Sequence, residues 1–359
     1  MLLVVDDLKP GGTTRHINML FNEFKNKNIN VFVAAFGSTY NKIPSQQFIH
    51  LPLYNFNYKK SIVGFIWSIF ILNRFVKRNK IQIIHSHKRY SDLLSRIVCR
   101  LNFISHVSTC HSILNKFNFI PSVFGDYTIA VGKNVYKILL DKFNKKECNV
   151  FIVKNNLIEL NNDFNTSPKL IKSNKTKFCW IGYLNDNKNI NLLLDSFFYL
   201  INVLKVNNFI CFVKIFDDEV DSFNYQIQQL NLANNIKIVG DEVNSLNLFK
   251  EVQFGILTSK TEGGSPPFVI LEAAKMKKPY ISTNIDDIPD FIHHKENGLL
   301  NNFDKEKLAE NILLLLKDKS FCVKLGNFAY KSFLNHQNIN STTNDVLKIY
   351  NNILNVYQK

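Results

Sequence analysis

The 359-residue chain is poor in the features that staple or tether a protein. Its six cysteines, Cys99, Cys110, Cys148, Cys179, Cys211 and Cys322, are scattered, with no C-x-x-C pair and no histidines at zinc-finger spacing. That pattern argues against a disulfide framework or a structural zinc site, and a chain of this length buries enough surface to need neither. The opening stretch M-L-L-V-V-D-D-L-K-P lacks the basic start and the longer apolar run of a signal peptide, so a reducing cytoplasm is the expected compartment. No solenoid repeat is visible. No G-x-G-x-x-G fingerprint is present, which disfavours a nicotinamide-dinucleotide site. The acidic pairs Asp217-Asp218 and Asp286-Asp287 lack the D-x-D spacing of a metal-binding strand end.

Acidic residues are scarce in one half. Residues 1–160 hold 22 Lys and Arg against 8 Asp and Glu, whereas residues 161–359 hold 22 against 21. Nearly all of the +15 net charge therefore lies in the first half. Such asymmetry suits a face that meets polyanion, whether nucleic acid, anionic lipid or a phosphorylated acceptor, against a background of basic composition. Hydrophobic residues make up 46% and charged residues 20%, the balance of a globular chain. Asparagine, at roughly one residue in eight, reads as compositional bias rather than chemistry.

Short apolar runs alternate with helix-period stretches, the pattern of a doubly wound α/β fold. In the first half, strands are expected at Leu2–Val5, Val31–Phe36, Ile81–Ile84, Val107–Cys110, Tyr127–Val131 and Asn149–Val153. Ile17, Leu20, Phe21 and Phe24 recur at helical spacing, and Asp92–Leu101 and Val135–Phe143 read as helices. The polar residues 159–175 form the best linker. A second α/β series follows, with strands at Phe178–Ile181, Phe209–Ile215, Ile236–Val239, Phe254–Leu257 and Tyr280–Ser282 and helices at Ile190–Leu204 and Phe268–Met276. The end of the chain is helical over Lys305–Leu316, Phe321–Phe333 and Thr343–Val356.

Ser61–Phe75 is very apolar, and Arg74, Lys77, Arg78 and Lys80 cluster at its end. It falls short of the roughly 20 apolar residues that a bilayer span takes. Two readings stay open: a buried helix of the first domain, or a helix lying in a membrane interface with Trp67 and Phe65 at the acyl boundary and the basic cluster on headgroups.

Three stretches carry chemistry. Pro10-Gly11-Gly12-Thr13-Thr14 follows a strand and precedes a helix, so its backbone can approach an anion at a helix N-terminus. Gly182-Tyr183-Leu184-Asn185-Asp186-Asn187-Lys188 places a lysine at a strand end before a helix, a good position for a phosphate. The third runs from Thr258 through Glu262, Gly263 and Gly264 to Glu272, a Gly-rich turn between a strand and a helix. Glu272 sits among Ile270, Leu271, Ala273 and Ala274, and a carboxylate on so apolar a helix needs donors; sugar hydroxyls are such donors.

This third stretch, continued by K-K-P-Y-I-S-T, I-P-D-F-I and E-N-G-L-L, resembles the donor site of retaining GT-B glycosyltransferases, in particular glycosyltransferase family 4 (group 1). Gly11-Gly12-Thr-Thr-Arg15-His16 is similar to that family's first G-G-x-x-R loop. Ile83-Ile-His-Ser-His87 and Ser108-Thr-Cys-His111 resemble its strand-end histidines, and Leu325-Gly-Asn-Phe-Ala with Leu347-Lys-Ile-Tyr350 its closing helices. The resemblance covers nearly the whole chain.

It implies two Rossmann-like domains facing across a cleft: residues 1–160, joined by a crossing helix at about 341–359, for the acceptor, and residues 161–340 for a nucleotide-sugar. Glu272 would hold the ribose hydroxyls, Glu262 would touch the donor sugar beside the N–H groups of Gly263 and Gly264, and Lys188 would meet the diphosphate. Gly12 would lie close to the diphosphate or sugar, His111 would face the reacting centre, and Arg15 and His87 would lie on the acceptor side. No metal and no cofactor are implied, because basic side chains and helix N-termini neutralise the leaving diphosphate.

The chain departs from the family pattern in four places. Tyr183 stands where an arginine is usual, which removes a phosphate contact worth about 1.5–3 kcal/mol. Glu262 and Glu272 are spaced more widely than is usual, the extra residues falling in Ser265-Pro266-Pro267. Phe216-Asp217-Asp218-Glu219 replaces a Gly-rich turn, and the first strand begins almost at once. The resemblance therefore implies a transferase moving a hexose-type sugar onto a lipid-linked or lipopolysaccharide/capsule-type oligosaccharide at the inner face of the plasma membrane, where the basic half would rest on anionic lipid. The alternative is a catalytically weakened relative serving as a scaffold or partner subunit. An epimerase or phosphorylase fits less well, and a nucleic-acid binder is disfavoured because no reading helix or aromatic RNA motif is present.

Overall fold

The structure is a computed structural model. It describes all residues except 38–42, 55–58, 113–122, 158–173, 217–219, 241–242, 264–265, 340 and 358–359. The proposed linker lies almost wholly outside the described residues. The chain divides into two compact units, Met1–Asn155 with Asn340–Lys359, and Asn156–Ile339.

The first unit runs β1 (Leu2–Asp7), α1 (Gly12–Asn26), β2 (Phe32–Phe36), β3 (Phe48–His50), α2 (Ile62–Arg78), β4 (Ile83–His87), α3 (Arg89–Asn102), β5 (Ser105–Cys110), β6 (Tyr127–Ala130), α4 (Lys133–Asp141) and β7 (Val150–Ile152). Its seven strands pair in the order β3-β2-β1-β4-β5-β6-β7, every pair parallel. Helices cover both faces of such a sheet, which is why its central strands read as unbroken apolar runs. The second unit runs β8 (Thr176–Gly182), α5 (Ile190–Asn202), β9 (Phe209–Ile215), α6 (Val220–Gln229), β10 (Ile236–Val239), α7 (Ser245–Glu251), β11 (Phe254–Leu257), α8 (Phe268–Lys275), β12 (Tyr280–Thr283), β13 (Leu299–Asn301), α9 (Lys305–Lys317) and α10 (Lys319–Ile339). Its order is β10-β9-β8-β11-β12-β13, again parallel throughout. The last helix, α11 (Thr342–Tyr357), returns to the first unit.

Each core has a distinct composition. In the second unit Phe178 stacks on Phe254 with centroids 4.6 Å apart and touches Phe197 and Phe209 edge and face, a cluster of aromatic rings under α5. In the first unit Val346, Ile349, Tyr350 and Ile353 of α11 join Ile17, Leu20, Phe21 and Phe24 of α1 in one apolar cluster, so the end of the chain completes a core begun by its first helix. All six cysteines are free thiols, and only Cys148 is exposed.

Four short elements, β3, β13, α6 and α7, were not expected from the sequence. β3 and β13 have three residues each, too few to show a period, and α6 and α7 alternate polar and apolar residues over barely two turns. α2 also differs from both bare alternatives. Its buried stripe is Gly64, Ser68, Leu72 and Val76, while Ile62, Val63, Ile66, Trp67 and Phe70 lie open, between 50% and 79% exposed. It is therefore neither wholly buried nor wholly open: Leu72, Val76 and the half-buried Phe65, Ile69, Ile71 and Phe75 pack on the core, and Phe65, expected at an acyl boundary, lies against Tyr90 instead, while the five open residues face out. Ser61 caps it, its hydroxyl accepting from the Gly64 N–H at 3.0 Å. A Cβ at Gly64 would run into the backbone carbonyl of Pro52.

Gly64→Ala is accordingly expected to push α2 off the sheet and to destabilise the first unit by about 1–3 kcal/mol. Urea denaturation followed by circular dichroism measures it, and a variant with an unchanged midpoint would show that α2 is not seated through this contact.

Candidate functional site

In a parallel sheet whose strand order reverses, ligands bind at the carboxyl ends of the strands beside the reversal. The reversals here fall between β1 and β4 and between β8 and β11. Each is surrounded by residues singled out in the sequence.

In the second unit, the turn after β8 and the turn after β11 are bonded into one structure. The Trp180 indole N–H donates to the Thr258 hydroxyl at 3.0 Å, and that hydroxyl donates to the Lys188 carbonyl at 2.8 Å. The Asn187 side-chain amide donates to the Thr261 carbonyl at 2.9 Å, and the Lys260 N–H to the Asn187 carbonyl at 2.7 Å. Across this frame the Lys188 ammonium pairs with the Glu262 carboxylate, 74 residues away in sequence. The Ser259 hydroxyl donates to the same Glu262 oxygen at 2.6 Å. Asp286 accepts both the Glu262 N–H at 2.6 Å and the Thr261 hydroxyl at 2.8 Å, which fixes the Glu262 backbone from below. Gly263 follows in a bend, and Gly264 lies outside the described residues.

Glu272 is 1% exposed on α8, among Phe268, Ile270, Leu271, Ala273 and Ala274. The Cys179 thiol and the Tyr280 hydroxyl near it are both pushed above their usual ranges, chiefly by their own burial and then by neighbouring acidic groups that include Glu272. Tyr183 lies with its ring centroid 5.4 Å from that of Phe216, an aromatic pair where the family pattern carries a cation. A cation and a carboxylate held at adjacent strand ends can bind a phosphate and sugar hydroxyls, and a second, buried carboxylate can take a vicinal diol.

In the first unit, Gly11 has φ 146°, a conformation that a Cβ disfavours, and it turns the chain from β1 into α1. No side chain caps α1 and its first turn holds no acid, so its N–H groups face outward beside Gly12. Arg15 lies half-buried on this helix, and His16, its neighbour, points into the unit at 1% exposure. His87 ends β4 and His111 directly follows β5. Their nitrogens Nδ1 and Nε2 are 3.0 Å apart, and the His16 ring lies edge-on to His111 with centroids 4.9 Å apart. His85, two residues before His87 and so on the same face of the strand, packs against it in a tilted arrangement with centroids 4.3 Å apart. It is hydrogen-bonded to Thr109 at 2.6 Å and to Tyr350 of α11 at 2.5 Å. Neither nitrogen of His16 meets a hydrogen-bond partner among the described residues, and a buried polar group left so costs about 1–3 kcal/mol. Burial pushes His16 down to about 4 and His85, His87 and His111 well below the usual imidazole range, each lowered further by its histidine neighbours in the case of the last three. The four rings are therefore neutral at pH 7. Lys88, the next residue after His87, has φ 89°, a strained position pinned by an ion pair from its ammonium to Asp7 at 2.9 Å.

The structure thus gathers Lys188, Glu262 and Gly263 at one reversal, with Glu272 buried on the helix that follows, and Gly12, Arg15, His87 and His111 at the other. His16, His85, Tyr350, Ser259 and Asp286 were missed as site residues. The alternation His85-Ser86-His87 was the one available signal, because residues two apart on a strand share a face.

Two doubly wound parallel sheets with a last helix returning to the first unit define a GT-B architecture. Residues 10–155 match Glycosyltransferase Family 4, and residues 161–332 match Glycosyl transferases group 1. The chain belongs to these GT-B glycosyltransferases. It is 26% identical over 298 residues to the capsular polysaccharide biosynthesis glycosyltransferase CapH of Staphylococcus aureus, over 77% of this chain and 79% of that protein. The same fold is seen in a glycosyltransferase from Rickettsia africae ESF-5, with a TM-score of 0.76, 20% identity and 98% of each chain covered. It is seen again in Anabaena Alr3699/HepE in complex with UDP-glucose, with a TM-score of 0.78, 16% identity and coverage of 98% of this chain and 99% of that one.

The buried histidines set an acid limit. His16, His85, His87, His106 and His111 are neutral when folded and protonate near 6.5 when unfolded, His106 being held down to about 3 by burial and by Arg96 and Lys145. The unfolded chain therefore binds more protons between about pH 4 and 6.5, and stability falls as pH falls through that window. Asp6 and Asp92, raised by burial, act in the opposite sense but are outnumbered. The urea midpoint at pH 5 is expected well below that at pH 7, and equal midpoints would show that these rings are protonated in the fold.

Proposed function

We propose that this glycosyltransferase moves a hexose-type sugar, with retention, from a nucleotide-sugar onto a lipid-linked or lipopolysaccharide/capsule-type oligosaccharide, in cell-surface polysaccharide biosynthesis. The observation that carries the donor half is the Lys188–Glu262 pair at the β8/β11 reversal, set beside the buried Glu272. On donor binding the pair is exchanged: Lys188 turns to the diphosphate oxygens and Glu262 to the sugar hydroxyls, with the Gly263 and Gly264 N–H groups beside it. Glu272 takes the two ribose hydroxyls. Gly12 at the start of α1 lies against the diphosphate or the sugar, and His111 faces the reacting centre, with Arg15 and His87 on the acceptor side.

In the reaction the bond from the anomeric carbon to the diphosphate oxygen breaks and the bond to the acceptor oxygen forms on the same face. The acceptor's proton passes to the departing diphosphate, so no side-chain base is required. CapH, whose name places it in capsular polysaccharide biosynthesis, and Alr3699/HepE, solved with UDP-glucose, support the product class and the donor class. Among a panel of UDP, GDP, ADP and CMP, one nucleotide is expected to raise the thermal midpoint. At about 100 times its dissociation constant the gain is about 2.7 kcal/mol. Glu272→Gln, which keeps shape and loses charge, is expected to abolish that shift and to lower kcat/KM by roughly 10–100-fold. No shift with any of the four, or a full shift in Glu272→Gln, would remove the donor-site assignment.

The acceptor half rests on α2. Ile62, Val63, Ile66, Trp67 and Phe70 form an open apolar stripe that runs into the exposed Arg74, Lys77 and Arg78. No helix among the described residues is long and apolar enough to cross a membrane. A stripe of this kind suits the interface of an anionic leaflet, where a lipid-linked acceptor is presented. Sedimentation with phosphatidylglycerol vesicles is expected to fall as salt rises and to fall further in Trp67→Ala. Absent or salt-independent binding would detach the acceptor from the membrane.

A further inference from the structure

We propose that His16, His87 and His111 form a binding site for one divalent transition-metal ion of the zinc class. The inference stands on the histidines themselves and goes beyond the donor and acceptor reading.

Each of the three imidazoles offers one nitrogen such that the set lies within 4.8 Å of one another. His87 Nδ1 and His111 Nε2 are hydrogen-bonded at 3.0 Å, near the separation of about 3.3 Å between neighbouring ligands of a tetrahedral ion with bonds of about 2.0–2.1 Å, and an ion would take the place of the shared proton. The ligands come from α1, the end of β4 and the turn after β5, elements held together by the parallel sheet and by the packing of α1 and α11. His16 is the independent sign of a ligand. It is 1% exposed, its ring lies against the other two, and both its nitrogens lack a hydrogen-bond partner among the described residues. An imidazole carried into the interior for packing alone is ordinarily hydrogen-bonded.

The donor set selects the ion. Three neutral imidazoles with no carboxylate suit zinc, cobalt, nickel or copper and offer little to magnesium or calcium, which take oxygen ligands. His85, held by Thr109 and Tyr350, packs against the His87 ring with centroids 4.3 Å apart and limits its movement. Three protein ligands leave a fourth position open. His16 and His87 are buried while His111 is only partly so, which puts that position on the His111 side. A water would complete the sphere.

The test uses the full chain, freed of any purification tag and dialysed against a chelator, with no nucleotide present, so that its outcome is separate from the donor assay. Titration with Co2+ is expected to give the visible bands of a four- or five-coordinate ion saturating at one equivalent, without the thiolate charge-transfer bands that the exposed Cys148 would contribute. Zn2+ should displace it. His16→Gln and His87→Gln are each expected to weaken binding by about 100-fold, whereas His50→Gln, an exposed histidine on β3, should leave it unchanged. Absent bands, bands with thiolate character, or bands undiminished in both variants would overturn the site. Should the two variants fail to fold, the imidazole nitrogen resonances of the wild-type protein decide: three histidines shifting together on addition of one equivalent of Zn2+ support it, and none shifting overturns it.

Discussion

The candidate site residues are brought together by one property of the sheets, the reversal of strand order at β1/β4 and again at β8/β11. A parallel strand sends its chain away from its carboxyl end into a helix, and neighbouring strands normally send their helices to one side. Where the order reverses, the two connections part and leave backbone N–H groups and turn residues uncovered. The chain puts Gly11-Gly12 and His87 at the first such point and Lys188 and Glu262 at the second. The rest of each unit can be understood as support for those few residues: aromatic packing under α5, the Thr258 and Asn187 bonds between turns, and α11 closing over α1.

The two reversals are built on opposite electrostatic plans. The second is ionic: Lys188 faces Glu262, Ser259 and Asp286 complete the hydrogen bonding, and the pair remains partly open to solvent, where exchanging one partner for another is inexpensive. The first is neutral and deeply buried, four imidazoles held uncharged against one another. Charge on any of them would be opposed by burial and by the adjoining rings, so this region can accept a proton only at a large cost in stability. It can, however, present lone pairs. The contrast separates a place suited to trading ionic partners from a place suited to holding a hydroxyl or an ion at fixed nitrogens.

Much of the fold was legible because the central strands are buried on both faces and read as short apolar runs: Phe209–Ile215 and Phe254–Leu257 appear in the structure with the bounds read from sequence, as does the edge strand Ile236–Val239. The three-residue strands β3 and β13 were not legible, since pairing with an already formed edge stabilises them rather than any pattern of their own. The glutamates and Lys188 were legible as motif positions, but their pairing was not. Seventy-four residues separate Lys188 from Glu262, and nothing local requires them to meet. The same holds for Tyr350 and His85, joined across 265 residues. His16 was visible as a letter in the first loop and invisible as a site, because a histidine on an amphipathic helix looks the same whether its ring is hydrogen-bonded or unpartnered.

α2 makes the clearest case that composition alone misleads. Its sequence is the most apolar helical stretch of the first half, and burial would be the ordinary fate of such a helix. Yet the residues turned inward are Gly64, Ser68, Leu72 and Val76, and those turned outward include Ile62, Val63, Trp67 and Phe70. A helix selected only to fill a core would put its largest side chains inside, where each is worth about 1.5–3 kcal/mol on burial. Here Gly64 lets the helix sit hard against Pro52, so close that no larger residue fits. Leu72 and Val76 are buried and Phe65, Ile69, Ile71 and Phe75 pack half-buried beside them, so the helix gives part of its bulk to the core and leaves Ile62, Val63, Ile66, Trp67 and Phe70 outside. Arg74, Lys77 and Arg78 continue the outer stripe toward the end of the helix, so the excess positive charge of the first half is in part concentrated where the apolar surface ends. An apolar face that ends in cations is poorly suited to another protein core and well suited to a surface whose interior is hydrocarbon and whose headgroups are anionic.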